Sequence, residues 1–80
     1  MTNLQKYDEA FMKSFSIEKE ALFADLVYQS VPTWDSVGHM GLIAALEEMF
    51  DIMMETDDII DLNSYQKGKE ILSEKYNVVF

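Results

Sequence analysis

The stretch Trp34-Asp35-Ser36-Val37-Gly38-His39-Met40-Gly41-Leu42-Ile43-Ala44-Ala45-Leu46-Glu47-Glu48-Met49-Phe50-Asp51-Ile52 decides how this chain reads. Asp35 or Ser36 is a good N-cap, because a short oxygen-bearing side chain there accepts from the free amides of the first turn. The pattern that follows predicts a helix over residues 36–52. At about 100° per residue, Leu42, Leu46, Met49, Phe50 and Met53 share one face, with Ala45 at its edge. That face is expected to be core. The opposite face carries Val37, Met40, Ala44, Glu47, Glu48 and Asp51, and Ser36 stands at its N-terminal edge.

Working outward, a first helix is expected over residues 4–15, where Leu4, Tyr7, Phe11 and Phe15 recur at spacings of three and four. Ser16, followed by Glu18 and Glu20, suits the cap of a further short turn carrying Ala21 and Leu22. From residue 23 to 33 the periodicity is lost. Residues 28–33 read as an irregular loop in which Pro32 pushes Val31 to extended geometry. Beyond the central helix, Met54 and Glu55 read as loop, and Thr56 suits the cap of a short third helix through Asp57, Asp58, Ile59 and Ile60. A fourth helix begins at Asn63 or Ser64, with Tyr65, Gly68, Ile71 or Leu72, and Tyr76 on one stripe. Gly68 costs about 1 kcal/mol relative to alanine inside a helix, so it marks a close helix contact. Residues 77–80 are expected to cover part of the core. The expected fold is therefore one all-α domain over residues 1–80: a small four-helix bundle with a short third helix and a long loop before the second.

Composition narrows the function. The chain has 80 residues, 49% of them apolar, enough for a single small core and too many for a disordered tail. Without cysteine it has neither disulfides nor thiolate metal sites, which fits a cytoplasmic protein. The N-terminus lacks the apolar run of a signal peptide, and no apolar stretch is long enough to span a bilayer, so stable membrane insertion is not expected. Fifteen acidic against six basic residues leave a net charge of −9. That balance disfavours nucleic acid and favours partners with basic docking surfaces, whose encounter long-range attraction would speed. Simple solubility explains the same charge.

The chemistry-bearing candidates are few. A phosphate ester on Ser36 would lie at the positive end of the central helix, where amide N–H groups are free. Val37, Met40 and Ala44, rimmed by acids, read either as a docking strip for several partners or as a solvated face with incidental apolar content. His39, the only histidine, falls on or near the core face, so a packed histidine is the better reading than a general base for Ser36. A serine hydrolase would also need an oxyanion hole and a cleft. The carboxylates from Glu47 to Asp61 lack the ligand spacing and central glycine of an EF-hand, and no metal site is expected. Trp34 reads as an anchor for the loop ahead of Ser36.

The run from Trp34 to Ile52, including Ala45-Leu46-Glu47-Glu48-Met49-Phe50-Asp51-Ile52, resembles the modification site of the acyl carrier protein family. The length, the acidic charge, the helix order and the long preceding loop extend the resemblance over nearly the whole chain. It implies that Ser36 is esterified with 4'-phosphopantetheine by a phosphopantetheinyl transferase, and that the arm's thiol carries acyl groups as thioesters between acyl-activating or acyl-transferring enzymes. By the same resemblance Asp35 helps hold the metal ion during transfer of the arm. Val37, Met40, Ala44, Glu47 and Glu48 would meet partners, and Ile59 and Ile60 would wall the groove for the arm or acyl chain. Such a protein is a monomeric carrier and not itself an enzyme. Val37 replaces the family's usual leucine, and Gly41 stands where many fatty-acid carriers have glutamate. The Trp-Asp-Ser-Val-Gly-His form is similar to stand-alone carriers of specialised pathways, which leaves a fatty acid, hydroxy acid, aminoacyl or polyketide unit as cargo. The alternative is an acidic helical adaptor that keeps the fold and carries no arm.

Overall fold

The computed structural model describes residues 2–80 and places five helices: α1 (Asn3–Phe15), α2 (Lys19–Leu22), α3 (Ser36–Phe50), α4 (Thr56–Asp61) and α5 (Tyr65–Lys75). The chain is all-helical among these residues, apart from one isolated antiparallel bridge between Val27 and Ser64. The four expected helices are present as α1, α3, α4 and α5. The fifth, α2, is the short turn through Ala21 and Leu22.

α1 opens with a reciprocal cap. Thr2 Oγ1 accepts from the Gln5 amide at 3.1 Å, and the Gln5 side chain accepts from the Thr2 amide at 2.8 Å, which satisfies two first-turn donors at once. Its inner stripe buries Tyr7, Ala10, Phe11 and Phe15, while Leu4 stays exposed at the rim. Phe11 lies edge-on to Trp34 with centroids 5.6 Å apart, and Phe15 stacks on Trp34 at 4.9 Å. Trp34 is fully buried. It anchors the long loop to α1 immediately before α3 begins.

Helix ends differ from the expected ones for a local reason. Ser16 does not cap α2. It closes α1 in the left-handed conformation with φ 53°, and Glu18 is the residue at the N-cap of α2, without a side-chain bond. Asp51 likewise ends α3 with φ 53°, so the helix stops at Phe50 rather than Ile52. Met53 consequently leaves the predicted core stripe and is 85% exposed, whereas Leu42, Ile43 and Leu46 are buried and Met49 and Phe50 half-buried. Thr56 is the first residue of α4, with Glu55 at the N-cap.

Ser64 caps the start of α5, its Oγ accepting from the Lys67 amide at 2.9 Å. The close contact expected at Gly68 is real: a Cβ there would stand 2.1 Å from Tyr7 Oη. That hydroxyl donates to the Tyr65 carbonyl at 2.6 Å, so it cannot swing away without losing a buried bond. Tyr65 donates in turn to the buried Asp8 carboxylate. Burial first, then the hydrogen bond to Asp8 and last the Asp8 charge, push the Tyr65 phenol well above its ordinary value. At the C-terminus Val78 is buried and Phe80 packs edge-on to Tyr7, while Val79 is exposed. No helix among the described residues is long and apolar enough to cross a membrane.

Candidate functional site around Ser36

Asp35 is the N-cap of α3. Its Oδ1 accepts from the Gly38 amide at 2.8 Å, and its carbonyl accepts from the His39 amide at 2.8 Å. Ser36 is thereby the first helical residue, and it is exposed. The start of α3 is held from the other side by Thr33, whose hydroxyl donates to the Phe15 carbonyl, the last of α1, at 2.7 Å. The Thr33 carbonyl lies so close to α3 that a Cβ on Gly38 would come within 2.0 Å of it. Backbone cannot yield as a flexible side chain can, so this position requires glycine. Gly41, one turn on, faces open space.

Next to Ser36 lies a cleft of about 360 Å³, mostly apolar, bounded by Tyr28, His39, Met40, Ile59, Ile60 and Leu62. Its volume falls in the range of small-molecule sites. The far wall is α4, and His39 ties it in place. The Trp34 indole N–H, which can only donate, reaches His39 Nδ1 at 3.0 Å. The ring hydrogen therefore sits on Nε2, which donates to the Ile59 carbonyl at 2.7 Å. α4 is too short to satisfy that carbonyl within the helix, and His39 supplies the missing donor. Both ring nitrogens are thus engaged away from Ser36, and His39 is the packed histidine its helical position suggests.

The hydroxyl partner of Ser36 is Tyr28, with Tyr28 Oη and Ser36 Oγ 3.2 Å apart. Sequence reasoning had no signal for this contact, since Tyr28 sits in an aperiodic loop. The pairing of Tyr28 with Asn63 brings it there: the Tyr28 amide donates to the Asn63 carbonyl at 2.8 Å, and the Tyr65 amide to the Leu26 carbonyl at 2.9 Å.

The remaining candidates fall around this point. Val37 is 81% exposed and Met40 57% exposed, and Ala44 and Glu48 are exposed farther along α3. Glu47 differs from Glu48. It is half-buried and its Oε2 accepts from the Met54 amide at 2.9 Å, closing the loop after α3. Ile59 is half-buried against the core, and Ile60 is 70% exposed at the cleft mouth. On the opposite side of α4, the buried Asp58 carboxylate accepts from Lys75 Nζ and from Tyr76 Oη, each at 2.7 Å. Those two bonds, that to Lys75 foremost, hold Asp58 below the usual carboxylate range. Tyr76 Oη also accepts from the Glu55 amide at 2.8 Å.

No family model matches the chain, and no curated protein or solved structure matches it.

Proposed function

We propose that the chain is an acyl carrier whose Ser36 bears 4'-phosphopantetheine. The observation that carries this reading is an exposed serine hydroxyl on the first residue of a fifteen-residue helix, at the edge of an apolar cleft. When bound, the group supplies a thiol on a flexible arm, able to hold an acyl group as a thioester in a protein that has no cysteine. The residues present fit it. The amides at the start of α3 give that end a positive partial charge, which favours a phosphodiester on Ser36 Oγ. Met40, Ile59 and Ile60 offer the apolar surface an acyl chain needs, within one cleft. Asp35, the N-cap, is exposed beside the serine and available to a transferase-bound cation. His39 takes no part as a base, because both its nitrogens serve the fold. Supply and removal of the acyl group fall to partner enzymes, which read Val37, Met40, Ala44 and Glu48.

Intact mass after co-expression with a phosphopantetheinyl transferase tests this reading. The expected result is a single added arm. An unmodified chain would favour the acidic adaptor without a prosthetic group. Docking has its own test. Glu48→Lys should slow loading severalfold at low salt, through association, and the deficit should shrink as ionic strength rises past about 0.1 M, where screening reaches about 10 Å. Glu47 is the poorer probe, because reversing it also breaks the bond to Met54.

A further inference from the structure

Tyr28 is placed for more than packing. Its ring lies edge-on to Trp34 at 6.3 Å and to His39 at 5.8 Å, and its amide is bonded to the Asn63 carbonyl. Backbone and ring are thus both fixed, and the hydroxyl ends at Ser36 Oγ on the side of α3 that faces the cleft. A residue needed only to fill space at this point would not require that oxygen. Phenylalanine would pack against Trp34 and His39 equally well.

We propose that Tyr28 is a positioning residue for the group carried on Ser36: its hydroxyl holds Oγ toward the cleft, so that the arm leaves along Met40, Ile59 and Ile60 rather than into solvent. The proposal rests on the carrier reading of Ser36. Its chemistry follows from what each oxygen can do. In the free protein either hydroxyl can donate to the other. Esterification removes the hydrogen from Ser36 Oγ, which can then only accept, whereas the Tyr28 hydroxyl keeps its hydrogen and becomes the donor to Oγ or to the adjoining phosphoryl oxygens. The contact therefore survives loading with its direction fixed.

The test compares wild type and Tyr28→Phe, each before and after loading from coenzyme A by a phosphopantetheinyl transferase, using methyl NMR of Ile59, Ile60 and Met40. In wild type, loading should shift all three. In Tyr28→Phe the shifts should shrink, because losing one net hydrogen bond lowers the ratio of cleft-bound to solvent-facing arm by about five-fold. Unloaded spectra should agree away from residue 28, which establishes that the fold is kept. A second readout needs no substitution: the Tyr28 Cζ resonance of wild type should move on loading, as the hydroxyl becomes an obligate donor. Full methyl shifts in loaded Tyr28→Phe, or a Tyr28 Cζ that ignores loading, would overturn the positioning role and leave the carrier reading standing. A wild-type chain that gains no arm mass under these conditions overturns both.

Discussion

α1 and α4 are held by different physics. α1 is thirteen residues long and buries Tyr7, Phe11 and Phe15 against Trp34 and Tyr65. α4 is six residues long and buries little apolar surface of its own, with Ile60 largely in solvent. It is secured by polar tethers instead: His39 to the Ile59 carbonyl on the cleft side, and Asp58 to Lys75 and Tyr76 on the other. Apolar burial scales with area and has no preferred direction, so it gives α1 one deep, rigid seat. A few directed bonds can open singly, so the wall of the cleft is drawn from the less stable part of the molecule. The helix that builds the core and the helix that shapes the site therefore answer to different substitutions.

The largest effect should come from α1. Phe11→Ala removes a fully buried ring between Tyr7, Trp34 and Tyr65, and should cost about 3–5 kcal/mol, a large share of the stability of a domain this size. Thermal unfolding followed by circular dichroism checks it. A loss below about 1 kcal/mol would mean that the aromatic cluster collapses to fill the gap.

His39→Ala should cost less overall and act locally. It leaves the Ile59 carbonyl and the Trp34 indole without their partner, which predicts about 1–3 kcal/mol of lost stability from unsatisfied groups. Hydrogen exchange should locate the change. The Leu62 amide, which bonds the Asp58 carbonyl at the end of α4, should exchange about ten-fold faster, while amides in the middle of α1 keep their order of protection. Uniform loss of protection would show that the two helices open as one unit.

Asp58→Asn should have the smallest effect, and a pH-dependent one. Folded Asp58 titrates below its unfolded value, because Lys75 first and Tyr76 second stabilise the carboxylate. Its contribution is therefore complete above the unfolded value of about 4 and is lost as pH falls through the lower folded value. Lys75 is shifted upward by the same bond, so its share is complete below the ordinary lysine value of about 10.4 and fades as pH rises beyond it. Wild type should melt above Asp58→Asn at neutral pH, and the gap should narrow only as pH falls below about 4. A gap independent of pH would assign the effect to shape rather than charge.

The legible parts of this molecule are those governed by periodicity and by caps. The spacing of Tyr7, Phe11 and Phe15 places α1, and the Asp-Ser pair places the start of α3 with Ser36 exposed beside it. His39 and Gly68 also reveal their roles through helical position. Chain reversals are harder to read. Both Ser16 and Asp51 take left-handed backbone without glycine to signal it: Ser16 reads as the cap of the next turn although it closes α1, and at Asp51 the sequence pattern runs on past the true end and carries Met53 into a core it does not join. Long-range contacts are the other blind spot. Tyr28 reaches Ser36 only because residues 26–28 pair with residues 63–65, and nothing local to either segment announces that pairing. Glu47 reads as one of two equal acids until its bond to Met54 separates it from Glu48.

The central claim is that Ser36 is the attachment point on a helix whose fold does not depend on its hydroxyl. The cap of α3 belongs to Asp35, so Ser36→Ala removes an exposed oxygen and its bond to Tyr28, and little else. The most direct test is intact-mass spectrometry of wild type and Ser36→Ala after identical treatment with coenzyme A and a phosphopantetheinyl transferase. The account predicts one added arm on wild type, none on Ser36→Ala, and unchanged helical circular dichroism in both. An arm on Ser36→Ala, or none on wild type, would contradict it.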